Sequence, residues 1–377
     1  MFIFVFGIAW LLAIASSHPL MPRPRRSCPP FGNGTVNIAS YQLYPENVDF
    51  DEKSYIGSLY NASVVVYDPY KASVVSTIEF PNITRTVPFH IGGVAWDPYS
   101  SKRNKSADEI TILVDAAAAH ETAGRDVSGD NYILRYSPSA QKTLWSVNLT
   151  RVSGGRYGGP QDIEHDSAGN IYVLGTYPGT LLRVRGDGSA VEEWYVPSQN
   201  SSGAIDHAVV GYTGLAAVDG STLLVTDARN RSADGGALYK FDMGAVKGTP
   251  THVPISYPVN RTSDVIRPGD AIYLPPKYDN EVLLITEHDA GVSVLRSRKG
   301  SVRGKWHSAE FIGRIPNAPE VTAAGGVVTA AVEIAGSVFL VEEWFTDPLV
   351  PGTSAGNRTS FPLIDITAQL DALVKAR

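Results

Sequence analysis

Four acids in this sequence occupy the same place in a pattern, directly after an apolar run: Asp115 in ILVDA, Asp227 in LLVTDA, Glu287 in LLITEH and Glu343 in FLVEEW. A carboxyl there often does no more than cap a turn. Several of them meeting in one cavity would raise one another's pKa for acid–base work, or bind a divalent cation through oxygen ligands. His90 begins another apolar run after Val87-Pro88-Phe89, as a buried structural histidine or a catalytic one. Gln161 opens QDIEHD, whose His165 reads as structural.

Other chemistries leave no trace. There is no Gly-x-Ser-x-Gly elbow, Walker loop, Gly-x-Gly-x-x-Gly fingerprint or His-Glu-x-x-His helix. The Gly-rich GRYGGP at Gly155 to Pro160 precedes no helix that would cradle a phosphate. The single cysteine, Cys28, excludes a disulfide framework, a Cys-based zinc site and an iron–sulfur centre. A net charge of -6 over 377 residues gives no global electrostatic case for nucleic acid or an anionic membrane.

The acids belong to a repeat. Its clearest copy runs from Gln161 to Val196: strand IYVLG, strand LLRVR, and turns DSAGN and GDGS. Five further segments follow the plan, and their second strands centre near Tyr55, Thr111, Leu224, Leu283 and Phe339, with Tyr172 in the clearest copy. This spacing, with 35 Gly and 25 Pro supplying turns, predicts an all-β, six-bladed β-propeller of four-stranded antiparallel blades. A pair of β-sandwiches would not impose so even a period. Val36 to Leu43 is placed to close the ring against the last blade, which hides exposed sheet edges. One short C-terminal helix is expected over Asp365 to Ala376, with Asp365 as its cap.

A propeller brings these residues together. Loops leading into each innermost strand and loops leaving each second strand open on the same face. The leading-in positions are Glu46, Asn47, His90, Gln161, Asp162, Tyr212, Thr213, Asp270 and Gly325. The leaving positions are Ser58, Tyr60, Asp115, Thr176, Tyr177, Thr226, Asp227, Glu287, His288, Glu343 and Trp344. From these come the catalytic candidates His90, Asp115, Gln161, Asp227 and Glu287. The ligand-contacting candidates are Glu46, Tyr60, Tyr177, His207, Tyr212, Glu343 and Trp344. Trp96, Trp194, Trp306, Tyr172 and Tyr239 sit in strand patterns and are expected to pack blades.

The N-terminus reads as an address. The apolar run Phe2 to Ala15, ending in Ala13-Ile14-Ala15, predicts a signal peptide over residues 1–17. Residues 18–30, with RPRR at Arg23 to Arg26, form a linker or processed segment, and residues 31–377 form the propeller. Nine of the fifteen Asn begin an Asn-x-Ser/Thr triplet: Asn33, Asn61, Asn82, Asn104, Asn148, Asn200, Asn230, Asn260 and Asn357. The excess points to N-glycosylation in a secretory pathway, with these positions on loops and outer edges. No membrane span is expected in the mature chain.

YQLYPENVDFD, SLYNASVVVYDPYKA, GPQDIEHDSAGNIYVLGTYPG, TGLAAV, GDAIYLPPKY and AGNRTSFPLIDITAQLDAL together resemble the secreted fungal β-propellers related to the trichothecene-cluster propeller protein. That group is distantly similar to the gluconolactonase and senescence-marker propellers. The resemblance covers nearly the whole mature chain. It implies a cofactor-free hetero-Diels–Alderase of tropolone sesquiterpenoid (eupenifeldin- and pycnidione-type) biosynthesis. Such an enzyme helps a hydroxymethyl tropolone lose water to a quinone methide, which then adds to a humulene-type alkene. The partners would be these small molecules. Under this reading His90, Asp115, Asp227 and Glu287 move protons, Gln161 orients the carbonyl, and Tyr177 and Trp344 form an apolar wall. The alternatives are a divalent-metal (Ca2+) lactonase of the gluconolactonase type, with Glu46 and Asp227 as acids but no clear Asn ligand, or a non-catalytic ligand-binding propeller.

Overall fold

The computed structural model describes residues 34–103, 108–197, 205–228, 237–258, 266–298 and 306–376. The expected signal peptide and linker, Cys28, and the sequons at Asn33, Asn104, Asn200, Asn230 and Asn260 lie outside the described residues.

Alternating apolar residues and tight Gly/Asn/Asp turns fold the repeat into antiparallel meanders, because each strand must bury one face and turn back on itself. The described strands form six sheets. Blade 1 holds Pro45–Asp51, Lys53–Ser58, Ser63–Asp68 and Ser73–Ile78. Blade 2 holds His90–Trp96, Ile110–Asp115, Tyr132–Ser137 and Lys142–Asn148. Blade 3 holds Gly158–His165, Ile171–Tyr177, Thr180–Val184 and Val191–Tyr195. Blade 4 holds Tyr212–Val218, Thr222–Asp227, Ala237–Asp242 and the two-residue Thr251–His252.

Blade 5 holds Ile272–Tyr273, Val282–Thr286, Val292–Ser297 and Ala309–Ile315, plus a fifth, parallel strand, Ile255–Ser256. Blade 6 holds Val327–Ile334, Ser337–Glu343 and Ser360–Asp365, and its outermost strand is Val36–Ala39 from the other end of the chain. Pairing Val36 with Leu363 and Ala39 with Ser360 closes the ring as expected. All six second-strand centres read from the sequence fall inside second strands.

Apolar side chains between adjacent blades hold the ring. Ile38, Val332, Phe339 and Phe361 of blade 6 share one buried cluster with Ile56 and Tyr67 of blade 1. The C-terminal helix, Thr367–Lys375, packs Leu370 against blades 5 and 6. Asp365 Oδ1 accepts the Thr367 N–H at 2.8 Å. No described helix is long and apolar enough to cross a membrane.

One feature of the innermost strands shapes the mouth. In blades 1, 2, 3, 4 and 6 the innermost strand slips register against the second strand near its start. The slips fall between Pro45 and Val48, Ile91 and Gly93, Pro160 and Asp162, Tyr212 and Gly214, and Val328 and Ala330. A bulge adds a residue, bends the strand and re-aims a side chain. The residues caught in these bulges include Glu46, Gly92, Gln161, Thr213 and Thr329.

Candidate functional site

Two bulge residues begin the site. The Gln161 side chain accepts from Thr176 Oγ1 (2.6 Å) on the neighbouring strand and donates through Nε2 to Asp270 Oδ1, which lies across the mouth at the start of blade 5. Asp270 Oδ2 meets His288 Nε2 at 3.0 Å. A chain Thr176–Gln161–Asp270–His288 therefore spans blades 3 and 5. Asp270 is buried, whereas the His288 side chain is 49% exposed. The Asp270 hydrogen bond raises the His288 pKa against the opposing effect of burial.

Glu46, the second bulge residue, faces this chain from blade 1. Its Oε2 is buried and has no hydrogen-bond partner among the described residues. Burial pushes its carboxyl well above the usual range, and the charges of Asp270, Glu343, Asp115 and Asp162 push it further. An unpaired carboxylate in such a place would cost several kcal/mol, roughly, so burial and the neighbouring acids favour the protonated form of Glu46. Beneath it Glu343 is fully buried, and neither of its oxygens reaches hydrogen-bond geometry. Burial raises its pKa strongly, with the adjacent Trp344 N–H offsetting part of that.

Tyr60 lies near Glu46, with His90 beyond it. Their rings meet edge to face at 5.3 Å. Burial and the nearby Glu343 and Glu46 charges raise the Tyr60 phenol. Burial lowers the His90 pKa, with Asp115 and Glu121 opposing it and His120 reinforcing it. Among the described residues the His90 ring has no carboxylate to orient it.

Below the mouth the bore is lined by a second acidic tier. Asp162 accepts from Leu215 N–H and Ile163 N–H, both at 2.8 Å. Glu164 accepts from Ala217 N–H (3.1 Å), Asp49 from Trp96 N–H (2.5 Å), and the Tyr273 hydroxyl from Glu333 N–H (2.9 Å). Blades 1, 3 and 5 thus each reach sideways to the innermost strand of the next blade. Burial lifts Asp49 to about 6, Asp162 to about 7 and Glu164 to about 8, with the backbone donors pulling the other way.

The remaining candidates sit elsewhere. Asp115 Oδ1 accepts the Ala117 N–H at 2.7 Å, the cap role, with its other oxygen toward Gly92. A Cβ at Gly92 would lie 2.8 Å from the Pro160 carbonyl, so only glycine lets blades 2 and 3 close here. Glu287 is committed: Arg267 N–H and Ser293 Oγ donate to Oε1 at 2.9 and 2.6 Å, and Arg314 pairs with Oε2 at 2.8 Å. Asp227 lines a small crevice between blades 4 and 5 with Ile266 and Arg267.

Tyr212 is a core residue between blades 3 and 4, stacked on Tyr195 at 5.7 Å. Trp344 does not wall the mouth. It is 2% exposed, lies under the Arg358 guanidinium at 4.2 Å and meets Phe361 edge-on. The next residue, Phe345, is 47% exposed and edge-on to His288 at 6.4 Å. Tyr177 is mostly buried against the backbone at Gly124 and Gly159 and meets His120 at 5.6 Å. His207 Nδ1 contacts the Gly124 carbonyl at 2.6 Å, pinning that same loop.

His165 is structural as expected. It is buried between Thr111 (2.9 Å) and Arg135 (3.1 Å), and burial drives its pKa down to about 3. Among the described residues no three His, Cys, Asp or Glu side chains are arranged to hold a metal ion. The mouth carboxylates that would supply ligands mostly face N–H donors, which is not the donor set of a calcium site.

The fold and this mouth define a six-bladed β-propeller with an acid-lined central site. The chain is 34% identical to trichothecene biosynthesis protein 14 of Trichoderma arundinaceum over 363 residues, 92% of each chain, and belongs to that family of fungal biosynthesis-cluster propellers. It is 28% identical to core trichothecene cluster protein 14 of Fusarium sporotrichioides, over 92% of this chain and 88% of that one. Among solved structures it is similar to the Malassezia sympodialis allergen Mala s 1 (TM-score 0.67, 20% identity, 88% of this chain and 95% of that one). It also resembles a Xanthomonas campestris gluconolactonase (TM-score 0.51, 14% identity, 88% and 89%). These two likenesses are of fold. No family model matches the chain.

Proposed function

We propose that this protein is a cofactor-free hetero-Diels–Alderase of fungal secondary metabolism. It would dehydrate a hydroxymethyl tropolone to a quinone methide and guide that diene onto a humulene-type alkene. The observation that carries the reading is Glu46: a carboxyl whose Oε2 is buried without a partner among the described residues and whose pKa burial and the surrounding acids push upward. Dehydration needs a proton donor at the leaving hydroxyl, and a carboxyl whose pKa is raised by its surroundings suits that role. Tyr60 offers a ring surface near it, packed on His90, and Phe345 offers another beside His288. Holding two apolar partners in one orientation contributes through lost entropy already taken at binding. Membership of a biosynthesis-cluster family supports a small-molecule substrate.

The Gln161 amide, expected at the substrate carbonyl, is engaged by Thr176 and Asp270, so its part is to hold Asp270. The test is incubation of purified protein with a hydroxymethyl tropolone and a humulenol. Higher adduct yield with a single stereochemical outcome is expected. The same product mixture with and without protein would refute it.

A further inference from the structure

An acid at the mouth requires a matching base, and two imidazoles compete for that role. His90 has aromatic neighbours and, among the described residues, no orienting carboxylate. His288 is built differently. Its backbone is left-handed (φ 48°), an uncommon conformation outside glycine, and is held there by the bridge to Val328, whose N–H donates to the His288 carbonyl at 3.2 Å. The strained turn sends the ring to Asp270 and away from the Glu287–Arg314 pair of the preceding residue.

A carboxylate oxygen accepts from a ring N–H, so the contact places a ring proton on Nε2, and in the neutral imidazole Nδ1 is then the acceptor. Asp270 in turn is held by Gln161, and Gln161 by Thr176. An imidazole oriented by a carboxylate that is itself fixed is the arrangement of a general base. The other groups facing the ring are Asp289, beside it in the chain, and Phe345 from blade 6.

We propose that His288 is the proton acceptor of the mouth, acting through Nδ1, with Asp270 and Gln161 as the residues that position it. This rests on the acid–base reading above. In the dehydration, Nδ1 takes the proton of the ligand's ring hydroxyl, and the released O–H electron pair becomes the new carbonyl π bond. The exocyclic C–O bond breaks toward oxygen, which takes the proton of Glu46 and leaves as water. The ligand has then lost one H2O. The proton on His288 returns to the Glu46 carboxylate through solvent, restoring both groups.

The experiment pairs turnover with a titration. Protein-dependent adduct formation is measured for wild type, His288→Gln, His90→Gln and Asp270→Asn, and the His288 ring proton is titrated by NMR in wild type and Asp270→Asn. His288→Gln should lose about 100-fold or more. In Asp270→Asn the His288 pKa should fall, and the acid limb of the pH–rate profile should move down with it, a shift that a merely structural role for Asp270 would not produce. A His288→Gln enzyme within about threefold of wild type, roughly a 0.7 kcal/mol change, overturns the assignment, as does a loss confined to His90→Gln. If wild type forms no adduct at all, the Diels–Alder reading falls instead. An unchanged His288 titration in Asp270→Asn would then still overturn the dyad.

Discussion

Asp162, on the innermost strand of blade 3, accepts a 2.8 Å hydrogen bond from the Leu215 backbone N–H of blade 4. The same carboxyl also accepts the Ile163 N–H. The bulge before it turns the carboxyl sideways into the neighbouring blade, so one residue fixes both the local backbone and the blade spacing. Asp162→Ala leaves two buried N–H groups unsatisfied and should cost about 2–4 kcal/mol in urea unfolding. Asp162→Asn keeps an acceptor and should cost less. Equal losses in the two variants would show that the side chain's hydrogen bonds are not what matters.

The bore predicts a pH dependence of stability. Asp49, Asp162 and Glu164 have folded pKa values of about 6, 7 and 8, above the unfolded values of about 4. The folded chain therefore binds more protons than the unfolded chain through this range, and stability falls as pH rises through 6 to 8. His165, lowered to about 3, works the other way but only below its unfolded value of about 6.5. Unfolding midpoints at about pH 6.5 and pH 9 avoid most of the His165 effect, and His288, whose folded pKa is raised, adds to the fall in the same direction. The midpoint should be lower at the alkaline end, and a level or rising midpoint would contradict the burial of these acids.

Arg135 pairs within blade 2 with buried Asp97 at 2.9 Å and Glu109 at 2.8 Å and reaches Thr111 at 2.6 Å, and it anchors blade 2 to blade 3 through His165 at 3.1 Å. Arg103 also pairs with Asp97 but is more exposed. Removing Arg135 strips the network of its central cation. Arg135→Ala should destabilise by about 3 kcal/mol in thermal or urea unfolding. A change below about 1 kcal/mol would mean that Arg103 and water replace it.

Glycan occupancy follows from what the sequon amides do. Asn82 and Asn357 are exposed, whereas Asn61 Nδ2 donates to the Gln42 carbonyl at 2.8 Å and Asn148 Nδ2 to Asp130 at 2.8 Å. Protein secreted from a fungal host should carry glycans at Asn82 and Asn357 and lack one at Asn61, by peptide mass mapping. Unmodified Asn82 and Asn357 would argue against passage through the secretory pathway.

The proposed chemistry uses only this chain's own acids and imidazoles. Dialysis against a chelator should leave adduct formation unchanged, with metal content measured on the same sample. Activity lost on chelation and restored by calcium would favour the metal-dependent alternative.

The blade plan was legible because strand alternation and turn residues are local signals that recur at a steady interval. Ring closure by Val36–Ala39 was legible for a related reason, since an unpaired last blade would expose an edge. The site was legible only in part. The rule of shared loops found the mouth but not which side chains turn into it, because the bulges that re-aim Glu46 and Gln161 depend on pairing across strands.

Glu287 and His288 stand one residue apart, and the left-handed turn at His288 sends one into the Arg314 pair and the other into the mouth. In FLVEEW the chain leaves the strand after Glu343, so Trp344 folds back under Arg358 and Phe345 takes the exposed place. The lower acidic tier, Asp49 and Glu164, looks in sequence like the polar face of an ordinary half-exposed strand. Only the side-to-side contact between blades makes it structural.

The most direct measurement is the pH–rate profile of adduct formation for wild type and Glu46→Gln. A glutamine keeps the size and the hydrogen-bond donor but has no proton to transfer. Glu46→Gln should lose about 100-fold to 10,000-fold, with the alkaline limb of the wild-type profile absent from the variant. A variant with wild-type rate and profile would contradict this role for Glu46.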